Sequence, residues 1–121
     1  IDDLIGSARG RLDRVTPPEL AGQMDAGALV VDIRPVEQRR RDGGLPGAVV
    51  IDRNVLEWRL DPTCSHHIHE VSNHQRRIIL VCNEGYASSL AAAALQDLGL
   101  LRATDLIGGF RAWRAAGLPV G

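Results

Sequence analysis

Residues Leu80–Leu95 read LVCNEGYASSLAAAAL, and this stretch decides the fold. The aliphatic run that feeds it, Ile78 to Val81, stops at a cysteine. After the short loop NEGYA, the chain turns rich in alanine, the strongest helix former. Aliphatics without polar alternation suit a strand covered on both faces, as in a parallel sheet. In such sheets the ligand crevice lies outside the carboxyl ends of the strands, so Cys82, as the last residue of its strand, sits at that rim. Gly85 permits a tight turn closed to other residues, and Ser88 or Ser89 is expected to cap the helix. The free N–H groups of the loop and first helical turn then converge on the Cys82 sulfur. Convergent N–H dipoles favour a thiolate over a thiol. The stretch describes a nucleophilic sulfur in an anion cradle.

Working outward, the same grammar repeats. Leu4, Ala8, Leu12 and Val15 fall close to helical spacing and predict a first amphipathic helix. TPPEL starts a second: Thr16 caps, the prolines suit the first turn, and Glu19 completes a capping box; Gly27 stops it. ALVVDIR is a buried strand ending near Asp32, Glu37 to Arg41 a short polar helix, and DGGLPGA a turn-rich loop. AVVID (Ala48 to Asp52) is another strand, VLEWRL is helical, and DPTCSHHIHEVSNHQ is a long polar connection. After the central strand and helix, ATDLIG gives a last strand and GFRAWRAAG a last helix. Strands alternating with helices predict an α/β fold, a mainly parallel central sheet flanked by helices on both faces. The 121 residues make one domain, with residues 1–28 an N-terminal helical segment and 29–121 the core.

Composition narrows the function. With 14 basic and 15 acidic residues the net charge is -1, which offers no electrostatic footprint for nucleic acid. Every basic residue is arginine, so Schiff-base, P-loop and general-base lysines are excluded. No apolar run approaches the ~20 residues that span a bilayer, and the acidic N-terminus is not a signal peptide. The two cysteines, Cys64 and Cys82, are expected to stay reduced in a cytoplasmic protein.

From about Leu29 to Val120 the chain resembles the rhodanese domain. The resemblance rests on VVDIR, with Glu37 after it, on GGLPGAVVI, on the loop VCNEGYASS, and on LIGGFRAWRAAGLPV, all in family order and spacing. It implies a rhodanese-type fold and a catalytic Cys82. That cysteine takes a sulfane sulfur from a small donor such as thiosulfate or a persulfide, and passes it to cyanide, a thiol or a protein acceptor. No metal or organic cofactor is implied, and neither nucleic acid nor membrane is a partner. The implied substrate-binding residues are Asn83, Glu84, Gly85, Tyr86, Ala87, Ser88 and Ser89, together with Arg53 at the same rim. The family loop often reads Cys-Arg-x-Gly-x-Arg-Ser; here Asn83 and Ala87 stand in place of both arginines, and Gly44 replaces the histidine of the family turn.

Arg53 either supplies the missing cation or is an ordinary solvated arginine. Glu84 is expected to point to solvent, and Asp32 and Arg34 to brace the loop after their strand. Cys64, His66, His67, His69 and His74 crowd one loop but lack a CxxC or HxxxH frame, so they read as a mobile polar loop before a metal site. Trp58 is expected to pack under that loop and Trp113 to anchor the last helix. A phosphatase needs Cys-x5-Arg, and Ser88 occupies that arginine's position. The rival reading is a non-catalytic rhodanese-like module that binds a partner or senses redox state.

Overall fold

The protein is described by a computed structural model covering residues 1–121. Four parallel strands lie in the order β2-β1-β3-β4. They are β1 (Leu29–Asp32), β2 (Val49–Val50), β3 (Ile78–Val81) and β4 (Ala103–Asp105). Six helices join and cover them: α1 (Asp2–Arg9), α2 (Pro17–Asp25), α3 (Val36–Asp42), α4 (Leu56–Leu60), α5 (Ala87–Asp97) and α6 (Gly109–Ala115). The architecture is the α/β sheet with helices on both faces that the alternating pattern predicts.

Side-chain alternation along the central strands divides the core in two. Leu29, Val31, Ile78 and Leu80 pack with Leu56 and Leu60 of α4 and with Ala91, Ala92 and Leu95 of α5. Val30, Ile79 and Val81 point the other way, into Leu20 of α2 and Phe110 and Trp113 of α6. Every residue of β1 and β3 is buried, as an uninterrupted aliphatic run requires. The alanines of α5 let that helix lie close against the sheet, so its first turn reaches the end of β3.

The predicted capping box forms: the Thr16 hydroxyl accepts from Glu19 N–H, and the Glu19 carboxylate accepts from Thr16 N–H at 2.9 Å. These bonds, the backbone one first, hold the Glu19 carboxyl below its ordinary value. Helix α1 is shorter than its periodicity predicts, because Val15 leaves it to form a parallel bridge with Leu106. Val15 N–H donates to the Asp105 carbonyl at 3.1 Å, and Ile107 N–H to the Val15 carbonyl at 2.8 Å. The segment before α2 thereby docks beside the end of β4.

Edge strand β2 keeps only Val49 and Val50 of the predicted run, since Asp52 turns to cap a 3-10 turn at Arg53–Val55. Trp113 is buried and its indole N–H donates to the Pro119 carbonyl at 2.8 Å. Trp58, expected under the long loop, is instead 58% exposed; Leu56 and Leu60 supply the buried face of α4, and Trp58 falls between them on the outer side. No helix is long and apolar enough to cross a membrane.

Candidate active site

The parallel register sets Leu80 of β3 opposite Asp105 of β4 and Asp32 of β1 opposite Val81, so three strand ends meet at one rim. Cys82 lies there, one residue past the end of β3, and is only 7% exposed. Its carbonyl and that of Asn83 accept from Phe110 N–H (2.8 Å) and Arg111 N–H (3.1 Å), the first free donors of α6. Those bonds pin the loop from below.

The close approach requires a glycine on each side, Gly109 before Phe110 and Gly85 in the loop. A Cβ on Gly109, whose φ is +64°, would stand 2.5 Å from the Cys82 carbonyl oxygen. One on Gly85, φ +85°, would stand 2.8 Å from Gly108 N. Gly109→Ala is therefore expected to cost about 1–3 kcal/mol from backbone strain alone, and more from the collision. Gly117 also has positive φ (+76°) but open space around it, so Gly117→Ala should show the strain without the collision. Thermal unfolding of both variants checks this; equal losses would mean that the contact with the Cys82 loop does not matter.

With the loop so held, Gly85 N–H donates to the Cys82 sulfur at 3.1 Å and Ser88 N–H at 3.4 Å. The Ser88 hydroxyl lies 3.2 Å from the same sulfur. The N-cap of α5 is Tyr86, without a side-chain cap bond, so neither serine plays the expected capping role. Both hydroxyls instead donate to Oδ2 of Asp105, Ser88 at 2.7 Å and Ser89 at 2.8 Å. A buried carboxylate demands such donors more strongly than a helix end open to solvent does.

Asp105 is fully buried, and Arg14 grips both its oxygens, at 2.8 and 3.2 Å. The same guanidinium donates to the Gly85 carbonyl at 3.0 Å, and Arg9 of α1 donates to that carbonyl at 2.7 Å. Arg9 also donates to the Ser89 hydroxyl and lies over the Tyr86 ring, 5.1 Å from its centroid. Sequence reasoning missed Asp105, Arg9 and Arg14. The strand ending ATD held the only local signal, an acid where a parallel strand meets the rim.

A cavity of about 530 Å³ opens above the sulfur. Of the sequence-derived candidates, Cys82, Asn83, Glu84, Tyr86, Ala87 and Arg53 line it. Gly85, Ser88 and Ser89 do not; they sit behind the sulfur, turned toward Asp105 and the arginines. Arg53 is held by Glu57 at 2.7 Å, and Glu84 pairs with Arg111 at 2.9 Å and is half exposed. Asp32 and Arg34 form a buried bidentate pair beside the cavity. A larger cavity of about 800 Å³ lies elsewhere, among Arg76, Arg77 and Arg102, which precede β3 and β4 at the opposite rim; it contains no nucleophile. Cys64 and Cys82 are both free thiols, and no cluster of three or more His, Cys, Asp or Glu is arranged to hold a metal ion.

Comparison with known proteins gives four findings. The family model for the rhodanese-like domain matches residues 16–116. A thiosulfate sulfurtransferase, GlpE of Stutzerimonas stutzeri, is 32% identical over 99 residues, covering 81% of this chain and 82% of the relative. Among solved structures, the human single-domain sulfurtransferase TSTD1 superposes with a TM-score of 0.71 at 26% identity, over 84% of this chain and 95% of that one. A Rhodopseudomonas palustris protein of unknown function, called a possible tyrosine phosphatase, superposes with a TM-score of 0.87 at 30% identity, over 98% and 91% of the two chains.

Proposed function

Since this chain belongs to the rhodanese-like domain family, we propose that it is a sulfurtransferase that carries sulfane sulfur on Cys82. One observation carries the reading: two backbone N–H groups, of Gly85 and Ser88, donate to a cysteine sulfur at the floor of an open cavity. Their dipoles are fixed before any substrate arrives, so charge on the sulfur is stabilised without reorganisation.

In the first half-reaction the Cys82 thiolate attacks the outer sulfur of thiosulfate. A new S–S bond forms, the S–S bond of thiosulfate breaks, and its electron pair leaves with sulfite. The product is a Cys82 persulfide whose terminal sulfur extends into the cavity. In the second, cyanide or a thiol takes that sulfur and the electron pair returns to Cys82, restoring the thiolate. The small donor and acceptor fit the cavity volume. Arg53 supplies a cation at the rim for a sulfonate group, and Asn83, Tyr86 and Ala87 shape the entrance. The chemistry suits a reducing compartment, where both cysteines stay free, and we place it in the cytoplasm.

The phosphatase description attached to the Rhodopseudomonas structure does not transfer to this loop. A bidentate phosphate clamp needs an arginine where Ser88 stands, and Ser88 is fully buried with its hydroxyl committed to Asp105.

Intact-mass measurement tests the reading. After incubation with thiosulfate the reduced protein is expected to gain one sulfur atom, lost again on adding cyanide. If neither thiosulfate nor a persulfide donor loads the protein, the reading fails and the non-catalytic module replaces it.

A further inference from the structure

We propose that Asp105 is a positioning residue that, acting through the Ser88 hydroxyl, favours the thiol form of Cys82 in the empty enzyme. A serine hydroxyl has a single hydrogen. Here it lies between a sulfur at 3.2 Å and a carboxylate oxygen at 2.7 Å. The carboxylate claims it, because a hydrogen bond to a buried anion is charge-assisted and short. With its hydrogen spent, Ser88 Oγ faces the sulfur with lone pairs. That suits a thiol, whose S–H donates to Oγ; it repels a thiolate.

The protein therefore applies two opposed influences to one sulfur. Gly85 and Ser88 N–H groups favour the charged form. Asp105, its own charge paired with Arg14, opposes it by holding the Ser88 hydrogen. Arg14 and Ser89 complete the set of Asp105 donors, and Ser88 is the donor that also meets the sulfur. Other charges near the sulfur are paired with each other. Asp32 faces Arg34 at the end of β1, Glu84 of the loop faces Arg111 of α6, and Arg53 of the 3-10 turn faces Glu57. Asp52, which also lines the cavity, accepts from Asn54 N–H. From α1, Arg9 spends its donors on Gly85 and Ser89. Asp105 is the charged group connected to the sulfur through a hydrogen-bonded side chain.

The restraint acts on the empty enzyme alone. In a persulfide the inner sulfur has no proton to donate, and the charge sits on the outer sulfur, beyond reach of Ser88. The hydrogen-bond argument stands on the thiol whatever it attacks; only this last consequence rests on the sulfurtransferase reading.

The test is the pH profile of iodoacetamide alkylation at Cys82, read by peptide mass so that Cys64 is counted separately. It uses no sulfur donor, so its outcome is independent of whether the chain transfers sulfur. In Asp105→Asn a neutral amide holds the Ser88 hydrogen less strongly than the carboxylate does, and Arg14 is left uncompensated. Both changes act in one direction. The alkylation midpoint is expected to fall by about one pH unit, giving about tenfold faster alkylation below it. Ser88→Ala keeps Arg14, Ser89 and Asp105 together and removes the acceptor of the thiol proton along with one Asp105 donor; its midpoint is expected to fall by less. That variant carries the test if Asp105→Asn does not fold. A rise in either midpoint would show that Ser88 donates to the sulfur, and an unmoved midpoint with a lowered unfolding temperature would show a purely structural Asp105. Either result overturns the proposal.

Discussion

Cys82→Ala is expected to lose sulfur transfer by on the order of 10³-fold or more, the scale on which a missing nucleophile is felt. Nothing else at the floor of the cavity can accept a sulfur atom. The N–H groups of Gly85 and Ser88 point at the sulfur, and alanine leaves both without an acceptor. Some loss of stability, about 1 kcal/mol, should accompany the loss of activity. Cys82→Ser separates the two effects. Its hydroxyl keeps an acceptor for both N–H groups, so the loop should hold its shape while transfer still fails. Steady-state thiocyanate formation alongside thermal unfolding checks both variants. Retained transfer in either would move the carrier to Cys64, the other free thiol, and end the assignment.

Arg34→Ala is expected to destabilise the fold by about 3–5 kcal/mol, because it strands a buried carboxylate. Arg34 donates through Nε to Asp32 Oδ1 at 3.0 Å and through Nη2 to Oδ2 at 2.8 Å, and Nη2 also reaches the Gly43 carbonyl at 2.9 Å. Its guanidinium stacks 3.8 Å above the Phe110 ring. Asp32 is 1% exposed and Arg34 2%, so water cannot take over when the arginine is gone. Nη1 has no partner, which shows that the pair carries a desolvation cost of its own. The sharper expectation concerns the double variant Asp32→Asn/Arg34→Met, which leaves no stranded charge and should lose less stability than Arg34→Ala alone. Urea unfolding with unchanged slope measures both. A single-variant cost below about 1 kcal/mol would mean that solvent reaches Asp32 after all.

How far the molecule was legible in its sequence follows the range of the interactions involved. The aliphatic run before Cys82, the glycine in its loop and the Thr16–Glu19 box are local patterns, and each folds as its residues direct. Asp32 and Arg34, two residues apart, read as braces of their loop, and the structure adds that they do so as a pair. What escaped notice was set by tertiary partners. Ser88 and Ser89 looked like caps because a serine before a helix can serve as one; Asp105, sixteen residues away from Ser89 along the chain, offered their hydroxyls a stronger acceptor. Arg9 and Arg14 are separated from Gly85 by 76 and 71 positions, and no spacing rule reaches that far. Val15 fits a helical period, yet its backbone is taken by Leu106 and its neighbours. Trp58 shows the converse: size suggested burial, but two leucines on the same short helix already filled the space.

The shared carbonyl of Gly85 changes where one would cut this molecule. Residues 16–116 mark the extent of the family pattern, and a protein engineer trimming to that pattern would keep Cys82 and both its N–H donors. The same cut would discard Arg9 and Arg14, the guanidinium groups that hold the back of the reactive loop, and would leave Asp105 without a countercharge. A boundary drawn by kinship and a boundary drawn by the bonds of the working loop are different boundaries, and here the second lies a helix further out.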